Sequence, residues 1–126
     1  MTILETSLVA ILEADAGAAA LVSDRIYPLE LPERVTLPAI RYQRISTSPE
    51  AAHTGDSGLA RARVQLSVHA ATYASAAAVA EALRSALHGK KGLFGAGSAC
   101  FVINDVSDRE ETSGQYVRYV DIEVWA

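Results

Sequence analysis

The sequence predicts an α+β domain in which helices pack on one face of a mostly antiparallel sheet. Two adjacent stretches and one distant one carry that prediction. In Leu59–Ala70, Ala62, Val64, Leu66, Val68 and Ala70 alternate with Arg61, Arg63, Gln65, Ser67 and His69. A period of two marks a strand with one buried and one wet face. At Thr72 the period changes. From Tyr73 to His88 there is no Gly or Pro, and Val79, Leu83, Ala86 and Leu87 recur at three- and four-residue steps, which is one helical stripe. Far along the chain, Gln115–Trp125 alternates again, with Val120, Ile122 and Val124 against Tyr119, Asp121, Glu123 and Trp125. The predicted order is α-β-β-β-α-β-β. At 126 residues the chain reads as a single domain, 1–126, large enough to bury a core without disulfide or metal.

Each element has its own local reason. Thr2 and Glu5 match a capping box, and Leu4, Leu8, Ile11 and Leu12 form a stripe, so a first helix spans Ile3 to Glu13. Asp15-Ala16-Gly17 interrupts it, and Ala18–Val22 forms a second short turn. In Arg25–Leu31, Pro28 cannot donate to a ladder, which limits the stretch to a short edge strand or an extended arm. Ala39–Ser46 alternates, with Ile40 and Tyr42 opposite Arg41, Gln43 and Ile45. Thr47–Gly58 has no apolar periodicity and is longer than a turn needs. Two readings stand for it, an extended hairpin arm and a surface loop. Thr72 caps the central helix and Gly89 ends it. After the connector Gly89–Gly97, Cys100, Val102, Asn104 and Val106 alternate with Phe101, Ile103 and Asp105. The polar link Ser107–Gly114 joins this run to the last one in a terminal hairpin.

Composition narrows the function. Hydrophobic residues make up 50%, much of it alanine, which favours close-packed helices over a large ligand cavity. The formal charge of −4 is the wrong sign for gripping nucleic acid through its phosphates. The one tight basic cluster, His88, Lys90 and Lys91, follows a helix and complements its dipole. Cys100 is the only cysteine, and its apolar neighbours mark a buried structural thiol suited to a reducing compartment. The opening MTILETSLVAILEADAG reads as neither a leader nor a membrane span.

No constellation of residues reads as an active site. The glycines at 89, 92, 95 and 97 are not followed by the Lys and Ser or Thr of a phosphate loop. His53, His69 and His88 share no metal-ligand spacing, and the acidic run Asp105, Asp108, Glu110, Glu111 lacks the pattern of a calcium loop. No cofactor, metal or catalytic residue is expected. The Tyr119, Asp121, Glu123 and Trp125 stripe has two readings. One is an exposed contact surface, since Tyr and Trp favour interfaces; the other is a face covered by a second helix, the first being the candidate.

Four pieces in order, DRIYP, LPAIRYQRIS, ARVQLSVHAATY and a terminal DIEVW, resemble the tail-completion or tail-terminator proteins of long-tailed, non-contractile bacteriophages, prophages and gene transfer agents. The resemblance spans nearly the whole chain and rests on order and spacing. It implies a structural protein without catalytic residues, assembled in the host bacterial cytoplasm and resident in the virion at the head–tail junction. Such proteins form a ring, commonly a hexamer, that caps the tail tube and joins the head. The implied partners are further copies of itself, the major tail tube protein and head–tail connector or adaptor proteins. DNA would pass through the lumen without specific binding, and no membrane is involved. A closed ring needs two different patches per subunit. The candidates are Pro49, Glu50, His53, Thr54, Asp56 and Ser57 on the loop, with Arg61 and Arg63 on the strand and the Tyr119/Asp121/Glu123/Trp125 stripe. Two other readings remain open: a head-side adaptor at the same junction, and a small α+β ligand-binding domain, which would need a pocket lined by perturbed ionisable groups.

Overall fold

The computed structural model describes residues 3–52, 55–95 and 97–125, and for Ile3 and residues 48–52 and 55–60 the backbone alone. Its elements are α1 (Ile3–Ala14), α2 (Ala16–Val22), β1 (Ile26–Pro28), β2 (Ala39–Ala52), β3 (Gly55–Ala70), α3 (Tyr73–Leu87), β4 (Lys90–Lys91), β5 (Ala99–Arg109) and β6 (Tyr116–Trp125). The strands form one sheet in the order β1-β2-β3-β6-β5-β4. All pairs are antiparallel except β1 with β2. The predicted α+β architecture holds; the second short turn expected at Ala18–Val22 is the helix α2, and the short strand β4 is added.

Capping fixes the helix boundaries. Asp15 accepts from the Ala18 N–H at 2.9 Å and opens α2, while Thr72 Oγ1 accepts from the Ser75 N–H at 3.1 Å and opens α3. Gly89 follows α3 with φ 71°, a backbone region that favours glycine. The Thr2 cap expected for α1 lies outside the described residues. Glu5, its expected partner, instead meets Arg44 of β2, with Oε1 2.6 Å from Nε. This ion pair ties α1 to the sheet.

The core lies between the three helices and one sheet face. Leu4, Leu8 and Leu12 of α1, Val22 of α2 and Val79, Leu83 and Leu87 of α3 meet Ile40, Val64, Leu66, Val68, Val120, Ile122 and Val124. Cys100 is fully buried there, and burial pushes its thiol up to about 12, so it stays protonated and inert.

Two expectations are corrected. The alternation read through β5 breaks at a bulge between Val102 and Asn104. Cys100 and Val102 face the core, but beyond the bulge Asp105 takes their side, and Asn104 and Val106 join Phe101 on the other. An extra residue in one strand reverses the side of every later side chain. A second bulge between Arg44 and Ser46 leaves Ile45 47% exposed. The wet side of β3 is also not uniformly wet. Arg61 is exposed, but Ser67 and His69 are buried, 1% and 5% exposed. With β2 on one side and β6 on the other, the central strand is shielded laterally by their side chains even where no helix lies above it.

Leu66→Ala and Leu83→Ala each remove a fully buried side chain at the helix–sheet contact. Each is expected to lower stability by about 2–5 kcal/mol in denaturant unfolding.

Candidate functional site

The second face of the sheet is polar, and among the described residues no helix covers it. Register brings its side chains together: Arg61 lies opposite Trp125, Arg63 opposite Glu123, Gln65 opposite Asp121 and Ser67 opposite Tyr119. Arg63 Nη2 stands 2.6 Å from Asp121 Oδ2. The Arg61 guanidinium lies 5.2 Å from the centre of the Trp125 ring, a cation–π distance. Trp125 Nε1 donates to Glu123 Oε1 at 3.0 Å. Five of the singled-out residues, on β3 and β6, thus form one interlocked patch. Tyr119 stands half-buried in the same row. The stripe is neither fully exposed nor helix-covered. Asp121 is 4% exposed, while Tyr119, Glu123 and Trp125 are half-buried. α1 packs on the opposite face, so the covering-helix reading does not hold.

The second feature is an arm. β2 and β3 pair beyond the sheet, through Pro49↔Ala60 to Ala51↔Asp56 and Ala52↔Gly55. β6 pairs with β3 only as far as Arg61↔Trp125. From Gly55 to Ala60, β3 therefore has β2 alone beside it, and the two-stranded ribbon reaches out by roughly 20 Å at strand rise. Of the two readings of this stretch, the hairpin arm is the one realised. Pro49, Glu50, Asp56 and Ser57 lie on its strands. His53 and Thr54 lie outside the described residues.

A third feature escaped the sequence reading. An open cleft of about 1000 Å³ lies between the connector after β1 and the β5–β6 turn, with Arg34, Arg41, His69, Glu110 and Gln115 in its walls. Arg41 Nε donates to His69 Nε2 at 3.3 Å, and His69 Nδ1 lies 3.0 Å from Gln115 Oε1. The acceptor role of Nε2 places the proton on Nδ1, which donates to Gln115. Arg41 Nη1 also holds the Leu29 carbonyl at 3.2 Å. One histidine thus links β2, β3, the β1–β2 connector and the last turn. Both ring nitrogens are engaged, leaving none for a ligand.

Comparison with known proteins decides the family. The family model described as "Tail completion protein gp17" matches residues 6–126. The chain belongs to this family. A tail completion protein is a structural part of a virion, and this chain's place is accordingly in the tail of a phage-type particle. Among solved structures, a chain from the "Virion of native gene transfer agent (GTA) particle" shares the fold with a TM-score of 0.81 at 22% identity. The match covers 97% of this chain and 92% of that one. No curated protein matches this tail completion protein.

The Arg63–Asp121 pair was hidden because the two residues are 58 apart in sequence. A polar residue on each of two alternating strands was the only available signal, and it does not fix register. The same holds for His69 and Gln115. His88, read as a dipole partner, instead accepts the Val102 N–H on Nδ1 at 3.0 Å.

The two halves of the ion pair differ in exposure, with the Arg63 side chain at 43% and that of Asp121 at 6%. Arg63→Ala strands a buried carboxylate and is expected to cost about 3 kcal/mol. Asp121→Ala leaves a guanidinium that can turn to water, with an expected cost of about 1 kcal/mol. Urea midpoints of the two variants check this asymmetry. Burial, reinforced by Arg41, holds His69 below its ordinary 6.5, against the opposing pull of Gln115 and Glu110. The folded state therefore binds this proton less readily than the unfolded chain. Its contribution is fully present above pH 6.5 and falls as the pH drops through that value towards the lowered folded one. The urea midpoint should decline on acidification from pH 7.5 to 5.5, and His69→Gln should flatten that decline.

Proposed function

We propose that this tail completion protein is a non-enzymatic ring subunit, in a hexamer, that caps the tail tube and joins it to the head connector while DNA passes through the lumen. The observation that carries the reading is the arm. An isolated two-stranded hairpin is at best marginally stable in water, yet β2 and β3 run on past the sheet with no described element against them. Such a ribbon is suited to packing against another chain. The polar patch of Arg61, Arg63, Tyr119, Asp121, Glu123 and Trp125 supplies a second, different surface. Two unlike surfaces are what a heterologous, ring-closing interface requires. The net charge of −4 suits a lumen that DNA must traverse without sticking. The partners in this reading are further copies of the chain, the tail tube protein and a head-side connector.

The ligand-binding reading has less support. The cleft beside His69 is open, and its titratable histidine is already bonded on both sides.

Mass photometry of the purified chain, alone and with tail tubes, tests the ring. Ring-sized particles are expected in at least one condition, and a strict monomer that leaves tubes unbound would overturn it. Deleting Pro49–Asp56 removes most of the outer arm, and the variant should keep its thermal unfolding within a few degrees while losing ring or tube association. Unchanged assembly would remove the arm from the interface.

A further inference from the structure

We infer that the outer edge of β5 is the seam at which a second copy of this chain adds its β2, antiparallel, so that the sheet continues from subunit to subunit. The inference rests on the ring reading and adds to it a backbone contact beside the arm and the polar patch.

On the side away from β6, β5 is paired only at its start, where Lys90 meets Cys100 and Lys91 meets Ala99. From Phe101 to Arg109 that edge has no strand beside it among the described residues. Three of its outward amides are occupied by side chains instead. The Val102 N–H donates to His88 Nδ1 at 3.0 Å, the Asp105 N–H to Asn104 Oδ1 at 3.0 Å and the Arg109 N–H to Asp108 Oδ1 at 2.7 Å. Amides alternate between the two sides of a strand, so Ser107, between Asp105 and Arg109, also points its N–H outward. Asn104 and Asp108 cap the residue next to them from an exposed position. Water competes for such bonds, and an incoming strand carbonyl can replace them. Phe101, Ile103 and Val106 stand 39%, 42% and 48% exposed along the same strand. An open ladder lined with apolar side chains is the feature that strand addition uses.

The opposite end of the sheet identifies the occupant. β1 covers β2 only at Ile40–Tyr42, and among the described residues no other strand pairs with the outer edge of β2 from Gln43 onward. Each subunit therefore carries two unlike open edges, one at each end of the sheet. Three antiparallel steps, β2 to β3, β3 to β6 and β6 to β5, make β2 and β5 opposite in direction. Rotation about an axis along the strands preserves direction, so a neighbour in a ring presents β2 antiparallel to β5. Antiparallel is also the pairing of every longer strand pair in this sheet. Pro49, which brings no N–H, limits the useful part of the β2 edge to the stretch before it, around Gln43–Ser48.

Ser107→Pro tests the seam. It deletes one outward amide of an exposed residue on the edge and leaves the ladder to β6 intact, so the melting temperature should stay within a few degrees of wild type. Ring formation, read by mass photometry under the condition that assembles the wild type, should fall at least tenfold. A second variant, Asn104→Ala with Asp108→Ala, uncaps the edge and should speed assembly several-fold. If the wild type assembles and both variants assemble at its rate, the seam is wrong and the ring reading stands. If Ser107→Pro forms rings but no longer binds tubes, the edge serves the tube protein and the assignment to a second copy is overturned. A Ser107→Pro chain that fails to fold shifts the decision to the uncapped variant, whose unchanged rate would overturn the seam. If the wild type itself never assembles, the ring reading fails, and the seam with it.

Discussion

The structure depends on the contact between α3 and the alternating face of β3. Val64, Leu66 and Val68 lie in one core with Val79, Leu83 and Leu87, and all six are fully buried. This contact fixes more than stability. A slip of one residue in β3 would bring Arg63 and Gln65 under the helix, so burial of charge and amide enforces the register. Once that register is set, β2 and β6 have their places. Arg44 and Arg118 are left on the helix side, and most polar residues of the three strands are driven to the far side. There, with no helix above them, they satisfy one another across strands. Arg63 pairs with Asp121, Arg61 lies over Trp125, and Arg41 and Gln115 hold His69.

A sheet covered on one face only leaves two edges and a bare face to be accounted for. Small closures guard each edge at one end, β1 on β2 and β4 on β5. The remainder is blunted by other means. Bulges interrupt both open strands, at Arg44/Ser46 on β2 and at Val102/Asn104 on β5. Side chains take up three of the outward amides of β5, and Pro49 interrupts those of β2. These are the devices by which edge strands avoid indiscriminate pairing. None of them closes an edge permanently, which distinguishes this sheet from a barrel.

What was legible in the sequence followed periodicity. The helix Tyr73–Leu87, the buried face of β3 and the closing strand were readable because one side of each is apolar and the spacing names the element. The family resemblance was legible as well, through the order of its strands and connecting turns, and the match over residues 6–126 agrees with it. The arm was not decided, because its sequence carries no apolar alternation, and its ladder is built from backbone groups that every residue type shares. The β5 bulge was missed for a related reason. Phe101, Ile103 and Val106 are all exposed, so apolar character on that strand did not report burial. Cross-strand pairs such as Arg63–Asp121 need register, and register comes from the packing of the whole sheet.

A subunit of the proposed ring would have to satisfy two opposed demands, avoiding chance association before assembly and holding firmly once in place. A large apolar interface would meet the second demand and defeat the first, since such a patch associates with whatever is present. Here the apolar groups at the edges are few and separated, with Ile45 on β2 and Phe101, Ile103 and Val106 on β5. What the edges offer is mainly backbone hydrogen bonding. Its net gain per bond is about 1 kcal/mol, and it is realised only when a partner strand lines up along several residues at once. Recognition of this kind is weak for a chance encounter and cumulative for a matched one. In the proposed ring it would also be multiplied, because every subunit would be held on two sides and would have to break both contacts to leave. The same open edges that expose a single chain to pairing would then make a closed assembly firm.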